Sequence, residues 1–69
     1  MYSKGQKISA FFFSRTLGHN TWANGTILGP ADVMVTDVIR DAYRVELDNG
    51  QTIDKVPADC LDVPMHQEN

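Results

Sequence analysis

The clearest pattern along the chain is an alternation of apolar and polar residues between Tyr43 and Asp48. A period of two places alternate side chains on opposite faces of a β-strand, so the pattern predicts a strand with one face in solvent. Asn49-Gly50 follows, and both residues tolerate the positive φ of a type I′ turn. Residues Gln51 to Val56 favour a returning strand. The whole segment predicts a two-stranded β-hairpin.

The first half of the chain predicts two more strands. Residues Gln6 to Phe13 alternate in the same way, and Ser14 to Asn20 are typical of a loop. Trp22 to Leu28 form the next apolar segment. Asn24-Gly25 inside it has two interpretations: a hairpin turn that divides the segment, or a continuous strand with a bulge or a close backbone approach at Gly25. We favour the continuous strand.

The remaining segments are shorter or less regular. Residues Ala31 to Ile39 alternate weakly and then change phase, which is typical of a kinked strand or, alternatively, of a short helix. Val56 to Leu61 (VPADCL) predict a short helical turn, since proline suits a first helical position. Leu61 and Val63 could form a last short strand, and Met65 to Asn69 are interpreted as a polar, disordered tail.

Several short strands separated by turns, without a long helix, predict an all-β fold. In so short a chain, closing the sheet on itself removes edges that would otherwise pair with other chains. We therefore expect one domain over residues 1–64, a small five-stranded barrel with a short helical turn before the last strand.

Three consecutive phenylalanines, Phe11 to Phe13, raise the main question about the surface. Neighbouring side chains in a strand point to opposite faces, so the rings cannot all enter one core. One interpretation is that the strand bends and supplies the rings to the core. Another is an exposed aromatic patch beside Lys7 and Arg15 that stacks on bases or packs on a partner protein. A third is a homodimer interface that covers the outer rings.

Composition and charge narrow the function classes. The 69 residues carry a net charge of -3 with a pI near 5.0, which argues against a protein that holds duplex DNA mainly by neutralising phosphates. The charge is unevenly distributed, because the first 31 residues contain no acidic residue and carry Lys4, Lys7 and Arg15. A single cysteine, Cys60, excludes an internal disulfide. With no secretory signal and no membrane-spanning apolar run, we expect a cytoplasmic protein.

The residue types that carry catalysis or metal binding do not occur at informative spacings. His19, His66 and Cys60 stand at no recognised metal-ligand spacing, and the aspartates are scattered at positions typical of turns. No phosphate-binding glycine loop and no nucleophile elbow is present. We therefore expect no metal, no cofactor and no enzymatic activity.

The order of these motifs resembles the Tudor and agenet group of SH3-like barrels. The matching segments are Gly5 to Ile8, Trp22-Gly25-Ile27, Tyr43-Val45-Leu47-Asn49-Gly50, and Val56 to Leu61. The resemblance implies an SH3-like barrel whose ligand site is an aromatic cage around a methylated cation. Trp22 and Tyr43 fall at matching positions, and Phe11 or Phe13 would have to complete the cage. The link from Pro30 to Asp41 is longer than is usual in that group.

The chain also resembles a second group that shares the barrel, the plasmid-borne, trimethoprim-resistant dihydrofolate reductases. The resemblance lies in "TWANGTILG" and "VPADCL". That family builds one active site from four chains and lines it with a Val-Gln-Ile-Tyr run. Gln51 to Asp54 are out of register with that run, so an oligomeric barrel reductase is a remote alternative.

The sequence predicts a small non-catalytic binding module that contacts another protein. The expected contact residues are Phe11, Phe13, Arg15, Trp22 and Tyr43. The alternative is a nucleic-acid-binding barrel that uses Lys4, Lys7 and Arg15 together with Phe11 and Phe13. A homodimer is compatible with either function.

Overall fold

The structure, a computed structural model, describes residues 2–31 and 41–65. Its elements are β1 (Lys7–Ser14), β2 (His19–Pro30), β3 (Ala42–Leu47), β4 (Thr52–Pro57), a 3-10 turn (Ala58–Cys60) and β5 (Leu61–Asp62). The predicted all-β class and the helical turn before the last strand are confirmed. The strand or helix predicted from Ala31 to Ile39 falls, apart from Ala31, outside the described residues.

The five described strands form one antiparallel sheet in the order β4-β3-β2-β1-β5. The central contact is a continuous ladder between β1 and β2, from Lys7 opposite Thr26 to Ser14 opposite His19. β5 is short and pairs with β1 only at Ser9 and Ala10. β4 and β5 are the two edges and are not paired with each other. The predicted closure into a barrel was therefore wrong: among the described strands β5 pairs only with Ser9 and Ala10 of β1, β4 pairs only with β3, and no ladder joins the two edges.

Two β-bulges curve the sheet. Leu28 is an extra residue in β2, since Ile27 lies opposite Val45 and Gly29 lies opposite Arg44. A second irregularity adds a residue to β4, where Val45 pairs with Ile53 and Tyr43 pairs with Val56. A bulge changes the phase of a strand and increases its twist. It explains how Ile53 and Val56, three residues apart, both contact the core.

The predicted hairpin is confirmed, but its turn differs from the one expected. The Leu47 N–H donates to the Gln51 carbonyl at 2.8 Å, so Asp48, Asn49 and Gly50 form a three-residue loop. Gly50 has a φ of +93°, whereas no described residue other than glycine has a positive φ. A type I′ turn needs positive φ at both central residues and is thus excluded. The Asn49 side chain instead accepts the Gln51 N–H at 2.8 Å.

The core lies on one face of the sheet and is small. Its buried members are Ile8, Ala10, Ile27, Tyr43, Val45, Leu47, Val56 and Leu61, and Phe12 and Cys60 pack against them. Tyr2 covers one side of this core, with its ring packed edge-on against Tyr43 at a centroid distance of 5.4 Å. Its hydroxyl donates to the Leu61 carbonyl at 3.3 Å. The segment before β1 therefore belongs to the folded unit.

Gly25 lies where β2 and β3 approach most closely. A Cβ at this position would lie 2.6 Å from the main-chain oxygen of Glu46 and 3.1 Å from Cα of Leu47. Both atoms belong to the backbone, which cannot rotate away as a side chain can. The prediction of a continuous β2 with a close backbone approach at Gly25 is confirmed, and the bulge lies three residues further along, at Leu28.

We expect Gly25→Ala to destabilise the domain by about 1–3 kcal/mol, because the added methyl group forces β2 and β3 apart. Urea denaturation followed by circular dichroism measures the change. Asn20→Ala, at an exposed position of the same strand, serves as the control and should change stability by less than about 0.5 kcal/mol. Equal stability of Gly25→Ala and the unaltered chain would contradict the close approach.

Candidate binding surface

The three phenylalanines of β1 divide between the two faces of the sheet. Phe12 packs against the core, whereas Phe11 and Phe13 point to the opposite, outer face and are 36% and 59% exposed. The alternation follows from the regular pairing of β1 with β2, which has no bulge between Lys7 and Ser14. Phe11 and Phe13 are thus not recruited to the core by a bend in the strand.

Trp22 joins Phe11 on the outer face. The two residues lie directly opposite each other in the β1–β2 ladder. Their ring centroids are 5.2 Å apart at an interplanar angle of 45°, and Trp22 remains 40% exposed. Phe13 lies on the same face, two positions along β1. We call these three residues, Phe11, Phe13 and Trp22, the aromatic patch.

The loop between β1 and β2 follows Phe13 in sequence and is not part of the aromatic patch. Its conformation is held by Ser14, whose carbonyl accepts the Gly18 N–H at 2.7 Å and whose hydroxyl accepts the Leu17 N–H at 3.2 Å. Arg15 and Leu17 are both exposed in this loop, and Leu17 is 58% exposed. A cation and an apolar side chain therefore lie next to Phe13 in sequence.

The segment after β5 is fixed to the outer face beside Trp22. The Asn24 side chain accepts the Met65 N–H at 2.8 Å and donates to the Met65 carbonyl at 3.4 Å. The buried Ser9 hydroxyl donates to the Val63 carbonyl at 2.8 Å. A groove of about 350 Å³ runs between Met65, Trp22 and the hairpin loop at Asn49. Sequence reasoning, which predicts a polar, disordered tail from Met65 to Asn69, missed this contact because it joins residues 41 positions apart. Residues 66–69 lie outside the described residues.

Tyr43 lies apart from the other predicted contact residues. It is 7% exposed on the core face and pairs with Pro30, at the end of β2 opposite to Trp22. Its hydroxyl accepts the Tyr2 N–H at 3.3 Å. Trp22 and Tyr43 consequently do not face each other, and the structure brings together only Phe11, Phe13 and Trp22, with Arg15 in the adjoining loop.

The outer face carries both charges around the aromatic patch. Lys7 lies on this face and donates through Nζ to Thr26 Oγ1 at 2.9 Å. By register, Glu46 lies beside Thr26 and Asp62 lies beside Ser9 on the same face. Lys4 is exposed before β1. The surface is therefore mixed in charge and is not a cationic stripe.

The described part of the chain offers no metal site, since no three of its His, Cys, Asp and Glu side chains come together. Within residues 2–31 and 41–65, no helix has the length and apolar character needed to cross a membrane.

No family model, curated protein or solved structure matches the chain. The function of the surface is accordingly inferred from its own geometry.

The contact between Phe11 and Trp22 can be measured as a coupling energy. We expect a double-mutant cycle of Phe11→Ala and Trp22→Ala to give about 0.5–1.5 kcal/mol of favourable coupling, the range for aromatic pairs in contact. Guanidinium denaturation of the four proteins provides the values. A matched cycle of Phe13→Ala with Trp22→Ala should give a smaller coupling, because those residues are not direct partners. Equal couplings in the two cycles would contradict the pairing.

The hydrogen bonds between Asn24 and Met65 predict a local effect. Asn24→Ala should accelerate amide hydrogen exchange at Met65 by about tenfold, since its N–H loses its acceptor. Amide exchange measured by NMR tests this, with Asn20→Ala on the same strand as the control. Unchanged exchange at Met65 would show that Asn24 does not hold this segment.

Proposed function

We propose that the chain is a small non-catalytic binding module that contacts another protein through the aromatic patch. The observation that carries the proposal is the Phe11–Trp22 pair, which is in contact, held by a regular ladder, and still more than a third exposed at each ring. A small domain has a small core and would gain stability by burying two large aromatic rings in it. Their exposure together on one face favours an interaction surface.

The physical properties of the aromatic patch suit a protein partner. Phenylalanine and tryptophan are enriched at the centres of protein interfaces, where they supply much of the binding free energy. Strand residues with rings already in contact lose little conformational freedom on binding, which lowers the entropic cost of association.

A protein partner is favoured over nucleic acid by the charges on the outer face. Glu46 and Asp62 lie on that face by register and would repel phosphate groups. Lys7 lies there too, and its ammonium group is hydrogen-bonded to Thr26. The net charge of -3 acts in the same direction.

An SH3-like architecture is part of the proposal. It is supported by the single sheet in which β1 pairs with both β2 and β5, and by the 3-10 turn immediately before β5. A Tudor-type cage is not included, because Trp22 and Tyr43 lie at opposite ends of β2. The resemblance supports a kind of fold and not a methylated ligand.

The test is affinity capture from an extract of the native cell, with the chain as bait. We expect Phe11→Ser and Trp22→Ser to lose at least about tenfold of the captured partner, as interface anchors do when truncated. Leu17→Ser is the matched control, an exposed apolar residue outside the aromatic patch, and should retain the partner. Circular dichroism must show that every variant is folded.

Salt distinguishes the two partner classes. Capture should persist between about 0.05 M and about 0.5 M salt if aromatic contacts carry it. Capture through phosphate contacts would instead weaken steeply over that range. The proposal fails if folded Phe11→Ser and Trp22→Ser capture the same proteins as the unaltered chain. It also fails if the captured material is nucleic acid that salt releases.

A further inference from the structure

The second half of β1 has an edge that no other described strand pairs with. β2 pairs with β1 from Lys7 to Ser14, but β5 pairs only with Ser9 and Ala10 on the other side. Among the strands of residues 2–31 and 41–65, the segment Phe11–Ser14 therefore has a neighbour on one side alone. An open strand edge is a template on which another extended chain can form main-chain hydrogen bonds.

The direction of the main-chain groups follows from two hydrogen bonds on the β2 side. The Gln6 carbonyl accepts the Ile27 N–H, and the Ser14 carbonyl accepts the Gly18 N–H. Main-chain groups in a strand alternate between its two sides, so the even-numbered residues of β1, like Gln6 and Ser14, direct these groups toward β2. The odd-numbered residues direct them to the other side. The N–H and C=O groups of Phe13 consequently face the open edge.

This edge borders a groove of about 420 Å³ between β1 and β4, within the size range of ligand sites. Phe11, Phe12 and Phe13 line it on the β1 side, and of their rings that of Phe12 is the one on the core face. We call it the β1–β4 groove, and its β4 wall includes Ile53, Val56 and Pro57. Apolar side chains therefore flank an edge that still has main-chain donors and acceptors.

The opposite edge, on β4, is poorly suited to pairing. The bulge interrupts the regular spacing of its main-chain N–H and C=O groups, Pro57 has no N–H, and Lys55 is an exposed charge on the strand. Bulges, prolines and lysines are the features by which proteins prevent pairing at an edge. Phe11–Ser14 contains none of them, so pairing in the β1–β4 groove is expected along β1.

The charge of the β1–β4 groove selects the occupant. Arg15 and Lys55 both line it, and no acidic residue of the described ranges does so. This is a local positive charge in a chain with a net charge of -3. A peptide that carries carboxylates would gain complementary contacts there, and a basic peptide would be repelled.

We infer that an extended acidic segment of a partner protein adds to the sheet as a strand along Phe11–Ser14. Its main chain hydrogen-bonds with Phe13, and its alternate apolar side chains pack against Phe12 and Ile53. Its carboxylates approach Arg15 and Lys55. The inference rests on the proposed function, since Phe11 and Phe13 belong to both surfaces, and it names the chemistry of the partner.

The first experiment selects peptides from a display library of about eight randomised residues, longer than a typical strand. We expect the unaltered chain to recover peptides with a net negative charge and alternating β-branched or aromatic residues. Recovery of basic or uncharged peptides, or of none above the background of an unrelated folded domain, would overturn the inference.

The second experiment separates the main chain of Phe13 from its ring. Phe13→Ser and Phe13→Pro both remove the ring, but only proline also removes the N–H at the open edge. We expect Phe13→Pro to bind a selected peptide at least about tenfold more weakly than Phe13→Ser, as measured by calorimetry. If Phe13→Pro does not fold, the same comparison is made on the peptide side. Two peptides are compared, one N-methylated at its odd-numbered residues and the other at its even-numbered residues. We expect the one whose methyl groups replace the N–H groups that face β1 to lose binding and the other to retain it.

The third experiment tests the charge. Arg15→Glu and Lys55→Glu should each weaken the selected peptide by about tenfold or more, and Lys4→Glu, outside the β1–β4 groove, should not. Equal affinity of all three variants would overturn the inference. Sedimentation that shows a dimer dissolved by Phe13→Pro would also overturn it, because the occupant would then be a second copy.

These outcomes are distinguishable from a failure of the proposed function. If Phe11→Ser and Trp22→Ser lose the native partner while Phe13→Pro binds it as Phe13→Ser does, the aromatic patch binds a protein without strand addition. If no variant loses the partner, both proposals are wrong.

Discussion

The antiparallel ladder between β1 and β2 determines which residues of this chain face water. Its register places Phe11 opposite Trp22 on the outer face and Ile8 opposite Gly25 on the core face. A slip of one residue would exchange the two faces, since side chains alternate with a period of two. The core side opposes such a slip, because Ile8 and Ala10 would leave it and Phe11 would have to enter. The exposure of the aromatic patch is thus a consequence of how the core is filled.

The same ladder accounts for the open edge. β1 continues beyond the point at which β5 ends, so Phe11–Ser14 extends as part of a two-stranded ribbon toward the loop. The core in this region contains only partly buried residues such as Phe12 and Ile53. Binding at the aromatic patch or in the β1–β4 groove would bury apolar surface that the described strands leave exposed.

Much of the local structure was predictable, and the exceptions have identifiable causes. The hairpin from β3 to β4 followed from alternation and Asn49-Gly50, but a negative φ at Asn49 gave a three-residue loop. Continuity of β2 through Gly25 was predicted. The bulge in β4 was not, because nothing in Asp54-Lys55 distinguishes a bulge from regular pairing. The burial of Tyr43 followed from its alternation with Val45 and Leu47, whereas the pairing of Trp22 with Phe11 depended on a register that alternation does not contain.

By itself, the sequence determined the all-β class, the approximate strands, and the fact that Phe11 to Phe13 could not share one face, because these depend on local backbone geometry and a period of two. Tertiary structure decided which ring is buried, which aromatic residue joins Phe11, and where the sheet stays open. Those outcomes depend on register and on the lengths of neighbouring strands. Residues distant in sequence set both: Trp22 across the ladder, and the short β5 that ends its pairing at Ala10.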